Sequence, residues 1–197
     1  ALEKWNLHKR IALGIVRITG TSPNMIILGF IISTAFISMW ISNTATTMMM
    51  YPIALSVNAL IEANYKGKGK IAHFSTVLML IIAYASNVGG VSTIVGTPPN
   101  MAMIGLMEKS FDVQVGFFDW FVICFPMVVV ILAVMYWLLC FVLFPNKMEK
   151  KSIPRSLIID EYQKLGKMSR QEWLVAIIFI QTCLLWIFRA QLVDLCK

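Results

Sequence analysis

Charge is what this sequence has least of. Only 14% of its 197 residues are Asp, Glu, Lys or Arg, while 58% are hydrophobic. A soluble globular domain carries roughly 25% charged residues, so that class is excluded, as are disordered and collagen-like chains. The few charges are also clustered. None occurs between Arg17 and Glu62, a run of 44 residues, or between Lys70 and Glu108, a run of 37. Two further runs, 27 residues between Asp119 and Lys147 and 16 between Glu172 and Arg189, are equally empty. A membrane-spanning helix needs about 20 mostly apolar residues, and a charge at the bilayer centre costs at least ~2.5 kcal/mol. Each empty run therefore holds a near-complete crossing, and the first has room for two helices. The expected fold class is an all-α polytopic membrane protein, placed in the plasma (inner) membrane.

Other absences narrow the function. Four cysteines, Cys124, Cys140, Cys183 and Cys196, lie in or beside apolar runs without metal-type spacing, and read as small buried residues. There is no Asn-x-Ser/Thr glycosylation site. No nucleophile–base pair, metal-ligand cluster or phosphate loop is present, which argues against an intramembrane enzyme or a cofactor. His8 and His73 sit at predicted cytoplasmic edges and read as structural or solvated. The 13 methionines, Met48-Met49-Met50 among them, read as packing or lipid-facing residues rather than a copper site. Ala1–Thr21 has no secretory signal, and its start in mid-pattern reads as a cut inside a longer protein.

The net charge of +7 follows topology rather than nucleic-acid affinity, because the basic residues lie between apolar runs and not along one stripe. Residues 1–17 carry +3, residues 62–70 carry +2, residues 108–119 carry −2 and residues 147–172 carry +3. The positive-inside rule puts 108–119 outside and the other three blocks in the cytoplasm.

The expected organisation follows. Residues 1–20 mix basic and apolar positions as a cytoplasmic interfacial helix. Ser22 and Pro23 start an apolar helix that runs from about Asn24 to Ile41. A second helix runs from about Ala45 to Leu60, so 23–60 forms a pair. Residues 71–107 form a broken helix, continuous to about Ser86 and resuming near Met101. Residues 117–144 form one long span with Phe117, Phe118, Trp120 and Phe121 as an outer aromatic belt. Residues 145–170 are a cytoplasmic segment with a short amphipathic helix at Ser156–Leu165, and 171–189 is a last span. Both ends of the 23–60 pair are basic, hence cytoplasmic. Charge parity alone allows two full crossings or a re-entrant hairpin.

The two breaks carry the functional signal. The first is Ser42-Asn43-Thr44, flanked by Ser38, Thr46 and Thr47. The second is Gly96-Thr97-Pro98-Pro99-Asn100, preceded by Gly89-Gly90. Irregular backbone at membrane depth is tolerated only where it is buried in protein or lines a wet cavity. A helix that stops offers carbonyls to a cation, and one that starts offers amides to an anion. Ser38 and Ser42 are i,i+4 and share a face. Their hydroxyls, nearby carbonyls and the Asn43 amide oxygen can replace water around Na⁺. Gly96 has no side chain to block its carbonyl, and Pro98 and Pro99 remove two N–H donors. Asn43, Thr44 and Thr97 can donate to a carboxylate or sulfate. Neither break holds a charged residue, so an anion there depends on helix dipoles and co-bound cations. The plainer alternatives are a polar helix-packing patch at 42–44 and a structural kink at 98–99.

The segments Met39-Trp40-Ile41-Ser42-Asn43-Thr44-Ala45-Thr46 and Gly89-Gly90-x-x-Thr93-x-x-Gly96-Thr97-Pro98-Pro99-Asn100 closely resemble the divalent-anion:sodium symporter family, the INDY-type di- and tricarboxylate transporters. His8-Lys9-Arg10-Ile11-Ala12, Gly20-Thr21-Ser22-Pro23 and Glu161-Tyr162-Gln163-Lys164-Leu165-Gly166 look like family segments too. The resemblance implies that 23–60 is a re-entrant hairpin with Ser42-Asn43-Thr44 at its tip. It implies a sodium site of Ser38, Ser42, Asn43 and Gly96, and carboxylate contacts from Asn43, Thr44 and Thr97. It further implies half of an inverted-repeat, homodimeric, elevator-type transporter in the lipid bilayer. Succinate, malate, fumarate or citrate would be the cargo and sodium the co-transported ion, with no cofactor and no nucleic-acid partner. The family's second Ser-Asn-Thr motif is absent from these residues, which therefore supply about half of the substrate site. An inactive fragment, a dicarboxylate exchanger and a sulfate transporter are the alternatives.

Overall fold

The computed structural model describes residues 7–20, 22–64, 68–145, 162–163 and 165–188, and these are mostly helical, with no strand among them. Among the described residues seven α-helices are delimited, in order α1 (Leu7–Thr19), α2 (Pro23–Ser38), α3 (Asn43–Asn64), α4 (Lys68–Val91), α5 (Pro98–Phe111), α6 (Phe117–Trp137) and α7 (Arg170–Ile187). A π-helical stretch, Leu138–Leu143, prolongs α6. Among the described residues four stretches are long and apolar enough to cross a membrane: Asn43–Ala63, Ala72–Val91, Phe117–Leu143 and Arg170–Ile187. Pro23–Ser38 is apolar but shorter.

Local signals explain the boundaries. Ser22 caps α2, accepting from the Met25 amide, and Pro23 occupies the first turn, where its missing N–H costs nothing. Ser42 caps α3, its hydroxyl accepting from the Ala45 amide at 3.4 Å. Pro98 and Pro99 open α5. Ser169 and Glu172 form a reciprocal capping box at the start of α7.

The centre is α4, which packs against both α2 and α3. Its buried residues Phe74, Val77, Leu78, Ile81, Ile82 and Ala85 recur at three- and four-residue steps, one face of a helix. They meet Ile26, Ile27 and Phe30 of α2, and Met50, Ile53 and Ala54 of α3. On the other side of α2 lies α1, contributing Ala12, Leu13 and Val16 to the same core. The outer helices are different. α6 and α7 leave Ile123, Val130, Ile178 and Ile180 exposed, as an apolar environment permits.

One expectation needs correction in detail. Asn87, Gly89 and Gly90 do not interrupt α4, which is continuous to Val91. The glycines serve close packing instead. A Cβ on Gly89 would come within 2.5 Å of the Ala35 Cα, and one on Gly90 would collide with the Asn43 side-chain oxygen. Small residues let membrane helices approach this closely. Similarly, α2 ends at Ser38 and α3 starts at Asn43, a few residues away from the expected limits. The expected helix at Ser156–Leu165 lies almost wholly outside the described residues.

A polar clasp joins the start of α7 to α1. The Arg10 guanidinium donates to the carbonyls of Gly166 (3.1 Å) and Leu165 (3.2 Å) and to the Glu172 carboxylate at 3.4 Å. The two side chains are only 11% and 9% exposed. Removing one partner of a buried pair costs about 3 kcal/mol. Arg10→Ala should therefore lower the melting temperature of the purified full-length protein by several degrees, while Arg10→Lys should recover part of the loss. An unchanged melting temperature in Arg10→Ala would show that the clasp does not hold α7.

Candidate functional site: two helix breaks that meet

The fold brings the two breaks together. Ser38, the last residue of α2, donates its hydroxyl toward the Ser86 carbonyl of α4 at 2.6 Å, and its oxygen lies 2.9 Å from the Asn43 Oδ1. Asn43, the first residue of α3, donates through Nδ2 to the Asn87 Oδ1 of α4 at 3.2 Å. Thr47 stands one turn further along α3. Its hydroxyl donates to the Asn43 carbonyl at 2.9 Å and pairs with the Ser86 hydroxyl at 2.8 Å. The tip of the α2–α3 pair is thereby fastened to the last turns of α4.

The second break folds back on the same place. The buried Thr93 hydroxyl donates to the Met39 carbonyl across the two breaks and accepts from the Gly96 amide at 3.1 Å. Asn100, also buried, donates to the Gly90 carbonyl at 3.0 Å and the Thr93 carbonyl at 2.7 Å. From α6, the Trp120 indole donates to the Val91 carbonyl at 2.9 Å. Gly96 is pressed into the junction. A Cβ there would collide with the Gly90 carbonyl and sit 2.9 Å from the Ser38 carbonyl oxygen. The Ser38 carbonyl takes part in none of these bonds and faces Gly96.

Of the residues singled out in the sequence, Ser38, Asn43 and Gly96 are thus neighbours. Ser38 and Gly96 are buried and Asn43 half-buried. Ser42 is exposed and occupied as the cap of α3. Thr44 is exposed and Thr97 half-buried; no hydrogen bond joins either to Ser38, Asn43 or Gly96, and Thr97 makes no side-chain capping bond to α5. Among the described residues there is no group of three His, Cys, Asp or Glu side chains that could hold a metal ion. The oxygens at the junction are uncharged.

Sequence reasoning gave no role to Ser86, Asn87 and Thr47, nor individually to Thr93, Asn100 and Trp120. Thr47 had a readable signal, since it follows Asn43 by four residues and shares its face. Ser86 and Asn87 had none, because their partners lie more than 35 residues away.

Residues 1–196 match the family described as the sodium:sulfate symporter transmembrane region. The chain belongs to this family. Its membership agrees with the resemblance carried by the two motifs, and the chain is accordingly a multi-pass membrane segment of a transporter family rather than an enzyme. Among curated relatives, the sodium-dependent dicarboxylate transporter SdcS of Staphylococcus saprophyticus is 38% identical over 194 residues, covering 96% of this chain and 37% of that protein. SdcS of Staphylococcus aureus (strain USA300) is 38% identical over 193 residues, again 96% of this chain and 37% of the relative. The chain thus spans a little over a third of the length of these relatives.

The Gly96 contact generates a test. Gly96→Ala inserts a methyl group against two backbone oxygens, and neither can move without disturbing a helix end. Overpacking of this kind costs ~1–3 kcal/mol. The variant should melt several degrees lower than wild type. A variant with an unchanged melting temperature would show that the breaks do not pack as described.

Proposed function

We propose that this chain carries the first sodium site and part of the substrate site of a sodium-coupled di- or tricarboxylate transporter, with succinate, malate, fumarate or citrate as cargo. The observation that carries the reading is the neutral junction where Ser38, Asn43 and Gly96 converge. Sodium would take the Ser38 and Asn43 side-chain oxygens together with backbone carbonyls of the Ser38 and Gly96 segments. Ser42 would join by turning its hydroxyl from the helix cap to the ion. The substrate carboxylate would accept from Asn43, Thr44 and Thr97, aided by the positive N-terminal end of α3. The names of the relatives, which specify sodium and dicarboxylate, support the same choice of ions.

The site works as part of a re-entrant hairpin spanning 23–60, whose tip stops within the bilayer. Two features support this. α2 has 16 residues, about 24 Å at ~1.5 Å per residue, short of the roughly 30 Å hydrocarbon core. Trp40, in the tip, packs edge-on against Phe179 with ring centroids 6.2 Å apart, and Phe179 lies near the midpoint of α7. Homodimeric assembly and an elevator-type shift of the site belong to the same proposal.

Uptake of labelled succinate by proteoliposomes containing the full-length protein tests it. Uptake should saturate with succinate and depend on a sodium gradient. Uptake indifferent to sodium would defeat symport and favour exchange. Asn43→Ala removes one ion-directed oxygen, a loss of ~1.5–3 kcal/mol, so half-saturation by sodium should rise roughly tenfold or more, with weaker succinate binding. If neither moves, the residue assignment is wrong.

A further inference from the structure

We infer that Asn87 is a positioning residue for the cation site: it fixes which end of the Asn43 amide faces the ion. The inference rests on the proposed sodium site and adds to it a residue outside the ligand set.

The orientation follows from which groups can only accept. A backbone carbonyl has no hydrogen to donate. Asn87 lies 2.8 Å from the Ala83 carbonyl, so the NH₂ end of its side chain must face that oxygen. Its Oδ1 is then the end that meets Asn43. It lies 3.2 Å from the Asn43 Nδ2. That bond turns the Asn43 Oδ1 toward Ser38. A single carbonyl on α4 therefore dictates, through two amides in series, that oxygen and not nitrogen is offered at the junction.

The alternative orientation would defeat cation binding. Ser38 has one hydroxyl hydrogen and two acceptors in reach, Ser86 carbonyl at 2.6 Å and Asn43 Oδ1 at 2.9 Å. Given to the nearer carbonyl, that hydrogen leaves the Ser38 lone pairs facing the Asn43 oxygen. Two oxygens facing each other without a hydrogen repel, and a cation between them turns the repulsion into coordination. If the Asn43 amide were reversed, its NH₂ would donate to Ser38 while Ser38 donated to Ser86. At Ser38 every group would then be satisfied with no ion present, while the Asn43 Oδ1 would be turned against the Asn87 Oδ1. Asn87 disfavours that self-satisfied state, so its effect appears in ion affinity rather than in folding.

The experiment uses the full-length protein with three variants. The readouts are sodium-dependent thermal stabilisation without substrate, the sodium half-saturation of succinate uptake, and the melting temperature in choline chloride. Asn87→Leu removes the acceptor and should raise sodium half-saturation about tenfold, with the choline melting temperature within about two degrees of wild type. Asn87→Asp keeps an acceptor for Asn43 Nδ2 and adds a negative charge that attracts the cation, so sodium half-saturation should not exceed about threefold that of wild type. Asn43→Ala is the reference for loss of the ligand itself. If Asn43→Ala shifts sodium dependence but Asn87→Leu does not, the positioning role is overturned and the site stands. If Asn87→Asp is as impaired as Asn87→Leu, the amide matters for packing and the orientation claim fails. If Asn43→Ala leaves sodium dependence unchanged, the site reading and this inference fall together. Should Asn87→Leu not fold, Asn87→Ala removes the same acceptor with less bulk and carries the same expectations.

Discussion

Backbone carbonyls at the ends of interrupted helices must find donors where water is scarce. An unpaired buried carbonyl costs about 1–3 kcal/mol, and this chain stops one helix at Ser38 and another at Val91. It meets the cost by letting each break satisfy the other. Thr93 of the second break donates to the Met39 carbonyl of the first. Ser38 of the first donates to the Ser86 carbonyl near the end of α4. Asn100 and Trp120 cover the Gly90, Thr93 and Val91 carbonyls. Each break thus supplies donors to the other, so the two are coupled.

The coupling dictates the packing around it. For Ser38 to reach the Ser86 carbonyl, α2 and α4 must approach to backbone distance, which is why Gly89 lies on Ala35. For Asn43 to reach Asn87, the start of α3 must lie over Gly90. The central position of α4 between α2 and α3 is the large-scale consequence. α1 braces α2 from behind, and the Arg10 clasp holds the start of α7 against α1. α7 in turn supplies Phe179, against which Trp40 rests. Aromatic contact and hydrogen bonds thus both hold the tip.

Much of this was legible in the residues. Empty charge runs located the apolar helices, because the penalty for a buried charge is large and local. Ser22-Pro23 located one helix start, because proline excludes most other positions, whereas Pro98-Pro99 was read as part of a break and opens α5, three residues before the expected start near Met101. Of the motif residues, Ser38, Asn43 and Gly96 lie together, whereas Ser42 is occupied as the cap of α3 and neither Thr44 nor Thr97 is hydrogen-bonded to them. Asn87, Gly89 and Gly90 were misread as interruptions, because their intrinsic preferences favour turns. In the fold, contacts with Ala35 and Asn43 outweigh those preferences and α4 runs on. The directional role of Asn87 is not encoded locally at all. It depends on a carbonyl one turn below and on a partner 44 residues away.

The neutral lining of the junction is also what makes coupling strong in the proposed reading. A cation bound by hydroxyl, amide and carbonyl oxygens keeps its whole charge. An anion about 5 Å away then gains ~3 kcal/mol at an effective dielectric constant near 20, which corresponds to a few hundredfold in affinity. By linkage the anion tightens the cation by the same factor. A carboxylate side chain at either break would bind the cation more tightly on its own. It would also cancel the charge that the anion must feel, and with it the reason for the two ions to arrive together. The absence of Asp and Glu between Arg17 and Glu62, and of Asp, Glu, Lys and Arg across the second break, is therefore in the proposed reading a condition of coupling as well as of membrane insertion.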